Sequence, residues 1–225
     1  VDPVVGEVVH GLGRHRQHAT EWDAVVPYAP PVVDGRDERR HRPDGDPGWR
    51  EDLLVGWEGE GPRGVVWITF DAAGTAAYRA LVVDTPVGDV GLVATGITPS
   101  GATTTEVRTD GLWADWVVAE PFRRVGLDAE AFAVTVDRDD AIGPESRGER
   151  VPFGFELDVE SVASPETHHG GYRLDATVTG LLLVGEAEIE ITADGRRLHC
   201  WGSASAAADL LEVVLDPLLR RFELR

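Results

Sequence analysis

The chain has 225 residues, and its 21 basic side chains, all arginine, face 40 acidic ones, for a formal net charge of −19 and a pI of about 4.6. That balance excludes a phosphate-neutralising basic face, so nucleic acid is not an expected partner, and the absence of lysine excludes Schiff-base chemistry through a lysine. With 42% hydrophobic and 27% charged residues the composition is that of an ordinary globular chain, long enough for one large β domain or two small ones.

Residues 1–48 show no apolar period, and DGRDERRHRPDGDPG (34–48) mixes both charge signs with Gly and Pro, which predicts a poorly ordered extension. His10, His15, His18 and His41 lie there without the spacing of a ligand pair on a regular element, and they read as solvated loop histidines. No signal-peptide layout and no apolar run of about eighteen residues is present, so a cytoplasmic protein without membrane insertion is expected. The single cysteine, Cys200, has no partner for an internal disulfide, and no Cys/His spacing marks a structural zinc site.

From Trp49 the chain becomes a succession of short runs rich in β-branched and aromatic residues, separated by Gly, Pro or Asp. In order they are LLVGWEGE, GVVWITFD, AAYRALVVD, VGLVATGI, ATTTEVRT, LWADWVVAE, EAFAVTVD, VPFGFELDVESV, YRLDATVTGLLLV, GEAEIEITA and RRLHCWG. Such a series without a convincing helix predicts an all-β antiparallel barrel or sandwich. Asp194-Gly195 is expected to form a type I′ hairpin turn between the last two runs. Glu186, Glu188 and Glu190 alternate with Ala187, Ile189 and Ile191, placing the carboxylates on an outer, solvated face. After Gly202, Leu210, Leu211, Val214 and Leu215 recur at helical spacing up to Pro217, which predicts a short C-terminal helix packed on the outside of the barrel, with another strand as the alternative.

Most of the seven tryptophans lie within the runs, and Trp49, Trp57, Trp67, Trp113, Trp116 and Trp201 are candidates to line an apolar cavity in the barrel, core filling being the competing reading for each. Glu51 shares strand parity with Trp49, and His199 shares it with Trp201. If that face is interior, His199 is a candidate acid/base group, and burial would raise the Glu51 pKa and make it a proton donor. The alternative is a structural histidine with Glu51 as its partner. His168-His169 reads as a turn, and no nucleophile elbow or phosphate-binding glycine loop is present.

WREDLLV (49–55), DGLWADWVVAEPFRRV (110–125), VPFGFELDV (151–159) and GRRLHCWG (195–202) together resemble the carotenoid 1,2-hydratase-like, or hydroxyneurosporene synthase-like, family in order and spacing. The last of them is similar to that family's Gly-x-Arg-x-His-Ser-Trp-Gly signature, with Cys200 in the serine's place. The resemblance implies a lipocalin-like β-barrel of about 8–11 strands over residues 49–202, with 203–225 as a tail where family members continue into a second barrel. It also implies a small hydrophobic molecule as ligand and acid/base-assisted hydration, isomerisation or cyclisation in secondary metabolism. The motif positions carried over are Glu51, His199, Trp201 and Gly202, together with Glu120, Pro121 and Arg123, which read as a strand-turn device. No cofactor or metal is implied. A non-catalytic binder of a lipid or polyketide-like ligand and a truncated barrel that pairs with another chain remain alternatives, and a homodimer stays open.

Overall fold

The computed structural model describes residues 32–168, 170–203 and 218–222, and these form a single antiparallel sheet that closes on itself. The strands are β1 (Trp49–Glu58), β2 (Arg63–Asp71), β3 (Ala76–Thr85), β4 (Gly88–Ile97), β5 (Val107–Thr109), β6 (Leu112–Glu120), β7 (Arg124–Val136), β8 (Arg150–Ser161), β9 (Glu166–His168), β10 (Gly171–Val184) and β11 (Ala187–Ser203). They pair in the order β4-β3-β2-β1-β11-β10-β8-β7, and Asp89, Val90 and Gly91 of β4 pair with Val136, Thr135 and Val134 of β7 to complete a ring of eight. The earlier part of β7 pairs with β6, which carries β5 as a flap beyond the ring. The expected all-β antiparallel barrel is the fold, and no helix among the described residues is long and apolar enough to cross a membrane.

Strand alternation sorts the side chains. On β1, Trp49, Leu53, Val55 and Trp57 point inward, as do Val66, Ile68 and Phe70 of β2, Tyr78 of β3 and Trp116 of β6. With Phe153, Phe155 and Leu157 of β8 they form one continuous apolar cluster inside the barrel. The opposite parity on β1–β3 and β11 is also apolar, because it is covered: Leu54, Val65, Trp67, Leu81, Leu198 and Cys200 pack under Ile142 and the tail residues Leu218, Leu219 and Phe222. The tail residues form a 3-10 turn, Leu219–Arg221, on the outside of the barrel. The helix expected before Pro217 lies outside the described residues.

Three elements differ from the sequence reading. Asp194-Gly195 is not a turn, because β11 runs unbroken for 17 residues. Gly195 serves close approach instead: a Cβ there would sit 2.5 Å from Val178 Cγ2. The hairpin turn falls at Gly185-Glu186, between Val184 and its partner Ala187, and Gly185 at φ 64° is the first central residue, as a type II′ turn requires. ATTTEVRT contributes only Val107–Thr109, and β9 has no apolar run to announce it. Glu186, Glu188 and Glu190 are exposed, as their alternation predicts.

Candidate active site

The register of two neighbouring strands builds the site. On β1 and β11, Glu51 pairs with Trp201 and Leu53 with His199, so Glu51 and His199 are diagonal neighbours on the inward face. His199 Nε2 lies 2.8 Å from Glu51 Oε1, and the two side chains are 1% and 0% exposed. On the other side of β11, Tyr172 of β10 is the direct partner of His199 and places its hydroxyl 3.3 Å from His199 Nδ1.

The segment before β1 closes this end of the barrel. His41 donates its backbone N–H to Glu51 Oε1 at 2.8 Å and brings its own Nδ1 to 3.0 Å from the same oxygen. Its ring lies flat on Trp201, with centroids 3.9 Å apart and planes 15° from parallel, and Nε2 faces Asp37 Oδ1 at 3.5 Å. Arg40 packs its guanidinium 3.8 Å over the Phe70 ring, and its Nε stands 4.0 Å from Glu51 Oε2. Glu38 is buried against Arg197 of β11 and accepts the backbone N–H of Phe122 at 2.7 Å. Phe122 sits in the Glu120-Pro121-Phe122-Arg123 turn between β6 and β7 at φ 60°, and its ring meets Tyr172 edge-on.

The arrangement corrects several expectations. His41 is not a solvated loop histidine; its side chain is 21% exposed and bonded to the buried carboxylate. Burial pushes the Glu51 pKa upward, but hydrogen bonding with His199 and His41 outweighs it and leaves the carboxyl below its ordinary range. Glu51 is therefore an ionised anchor for two imidazoles rather than a proton donor. Trp49, Trp57 and Trp116 point inward but pack as core, and Trp201, on the same face, is partly buried against that core and stacks on His41. Trp67 and Trp113 do not face the interior. Trp67 Nε1 donates to Asp52 Oδ1 under the tail, and Trp113, opposite in parity to Leu112, Ala114 and Trp116, donates to Glu106 Oε1.

The remaining groups are held in fixed states. Burial, and then the Glu38 charge, push the Tyr172 hydroxyl pKa far upward, so it stays protonated, with Glu38 as a hydrogen-bond partner. Burial, and then Asp52, raise the Cys200 thiol well above its ordinary value; it lies in the covered outer layer and is not a nucleophile for this site. His41, Glu51 and His199 each bring a metal-ligating atom within 4.8 Å of the others. Glu51 and His199 were legible from the motifs, whereas His41, Glu38, Arg40, Tyr172 and Arg197 were not. The two buried residues before β1, Glu38 and Arg40, left one faint signal, their even parity in DERRHR.

Fold and site together define an antiparallel β-barrel with a buried carboxylate–imidazole centre at one end. No protein-family model matches the chain, and no curated protein or solved structure matches it.

Proposed function

We propose that the chain is an enzyme of small hydrophobic molecules that performs acid/base-assisted hydration, isomerisation or cyclisation beside the stacked His41–Trp201 pair at one end of the barrel. One observation carries the reading: a fully buried, ionised carboxylate holds two imidazoles on one oxygen, and one of the two, His41, is accessible from outside. A buried, hydrogen-bonded charge of this kind is unfavourable for the fold unless it is paired, and acid/base centres are where such groups gather. The surroundings fit an apolar reactant: Trp201 and Phe122 border the polar cluster, and the low dielectric strengthens the influence of Glu51 on any charge that develops beside it. The reactant meets the centre beside His41, its partly exposed member, and residues 32–48 form one wall of the site. The resemblance of GRRLHCWG and WREDLLV to the hydratase-like family points to the same chemistry.

Native mass spectrometry of the purified chain, searched for a retained small hydrophobic molecule, identifies the reactant to assay. Glu51→Gln and His199→Ala are each expected to lower kcat/KM for its conversion by about 100-fold or more while the circular dichroism of the barrel persists. Unchanged turnover in both folded variants would sink the proposal.

A further inference from the structure

The loading of the Glu51 carboxylate is uneven. Oε1 faces three nitrogens, the His41 backbone N, His41 Nδ1 and His199 Nε2, whereas Oε2 is buried and finds no hydrogen-bond partner among the described residues. A carboxylate has about four acceptor sites spread over both oxygens, so hydrogen bonding alone does not call for this crowding. The far sides of the two rings are also telling. His41 Nε2 faces the Asp37 carboxylate at 3.5 Å, an acceptor that can hold the ring proton when Nδ1 serves as a ligand. His199 Nδ1 faces the Tyr172 hydroxyl, which has Glu38 as acceptor for its own proton and is then free to accept Nδ1–H. In the tautomer with Nδ1–H on that hydroxyl, His199 Nε2 turns its lone pair toward Glu51 Oε1. Both inner nitrogens and the carboxylate then converge on one point, where a cation takes the place of the ring protons.

We infer that His41 Nδ1, His199 Nε2 and the Glu51 carboxylate are the three protein ligands of a divalent transition-metal site of the zinc class. Two imidazoles and a carboxylate suit such an ion, and the outer contacts are those that metal-bound histidines make, a carboxylate on one ring and a hydroxyl on the other. Bonds of about 2.0–2.2 Å place the ligands of a four-coordinate ion roughly 3.3 Å apart. The observed separations of 2.8 Å and 3.0 Å to Oε1, with all three atoms within 4.8 Å, reach that arrangement through small side-chain movements. Glu51 and His199 are fixed by strand register, and His41, the partly exposed member, closes the set from the pre-strand segment on the side from which a fourth ligand enters. The inference rests on the proposed activity only in taking this cluster as the working centre: the ion supplies the positive charge, and water bound to it, with a pKa lowered to about 7, supplies the acid/base group.

The test is to strip the full chain with a chelator and titrate it with Zn²⁺ or Co²⁺, following uptake by elemental mass spectrometry and the visible absorption of bound Co²⁺. Saturable uptake of one ion per chain is expected, with His41→Ala weakening it by about 100-fold and Asp37→Asn by about 10-fold. Both changes lie before β1, outside the barrel strands, and circular dichroism checks that the fold persists. No saturable uptake, or uptake unchanged in both variants and therefore due to other histidines, would overturn the site. Turnover by a stripped protein that binds no ion also overturns it and leaves the acid/base reading standing. One-ion uptake that both variants abolish, with no turnover found, supports the site and counts against the activity.

Discussion

At the scale of single residues, the buried charges outside the proposed centre show how the site is held. Glu38 and Arg197 are each almost fully buried, 159 positions apart, and joined by a short ion pair. Arg197 also has Nε and Nη1 without partners among the described residues, so Glu38 is what compensates its charge. Removing one partner of such a pair strands the other in a low-dielectric interior, which costs more than the pair itself contributes. Glu38→Ala is accordingly expected to destabilise the protein by about 3–5 kcal/mol, read by urea unfolding. The loss also loosens the segment that carries His41, so amide protons of residues 38–42 should exchange faster. A change below about 0.5 kcal/mol would show that the segment is not anchored through Glu38. Sequence reading missed this residue for a physical reason: nothing local marks Glu38 as buried, because its partners, Arg197 and the Phe122 N–H, are supplied by a distant strand and a distant turn. Glu51 and His199 were legible because neighbouring aromatics share their parity and because the motifs they sit in resemble known ones.

Among the strands, periodicity told most of the story and turns told less. Alternation gave the shared faces of Trp49 with Glu51 on β1 and of His199 with Trp201 on β11, and the exposed Glu186, Glu188 and Glu190 around the start of β11. It failed on Trp67, because the outer face of β1–β3 is apolar too, covered by a tail that strand pattern alone does not reveal. Asp194-Gly195 looks like a turn in sequence, but the glycine answers to a crowded crossing with Val178, which only the pairing of β10 with β11 shows. Pairing also exposes a conflict that no single run displays. Asp115, Asp128 and Glu156 are direct cross-strand neighbours on β6, β7 and β8, and like charges in that position repel. Partial burial, together with Glu156, Asp115 and Asp158, raises the Asp128 pKa above its ordinary value. The folded chain therefore holds this proton more tightly than the unfolded one, and stability falls as pH rises from about 3.9, the unfolded value, through the raised folded value. Above that window the loss is complete. Asp128→Asn is thus expected to stabilise the protein at pH 7 by up to about 1 kcal/mol, less in high salt, and to make no difference below about pH 3.5. Equal melting temperatures of the two proteins at pH 7 and low ionic strength would contradict the repulsion.

Over the whole molecule, the pairing of β4 with β7 closes the ring and leaves β5 at its margin, and exposed acids such as Glu186, Glu188 and Glu190 contribute to the −19 charge and oppose association of barrels through their outer faces. One part of the exterior departs from this pattern. Across β1–β3 and β11 the outer surface is apolar, and residues 218–222 close it like a patch. Phe222 is 4% exposed, meets the Trp67 ring edge-on at 6.2 Å and pairs with Ile142, while Arg221 reaches the Asp89 carboxylate and the carbonyls of Asp137 and Asp140. The same layer lies behind the site: Leu198 and Cys200, on either side of His199 in β11, are among the residues it covers. A loosened patch should therefore affect both stability and the strand that holds the centre. Phe222→Ala is expected to cost about 3 kcal/mol, which for a domain of this size lowers the melting temperature by about 6–12 °C. It should also shift tryptophan fluorescence to the red as Trp67 gains solvent. An unchanged melting temperature and spectrum would mean that the barrel is stable without its patch, and that Trp67 is shielded by Asp52, Arg50 and Arg79 alone.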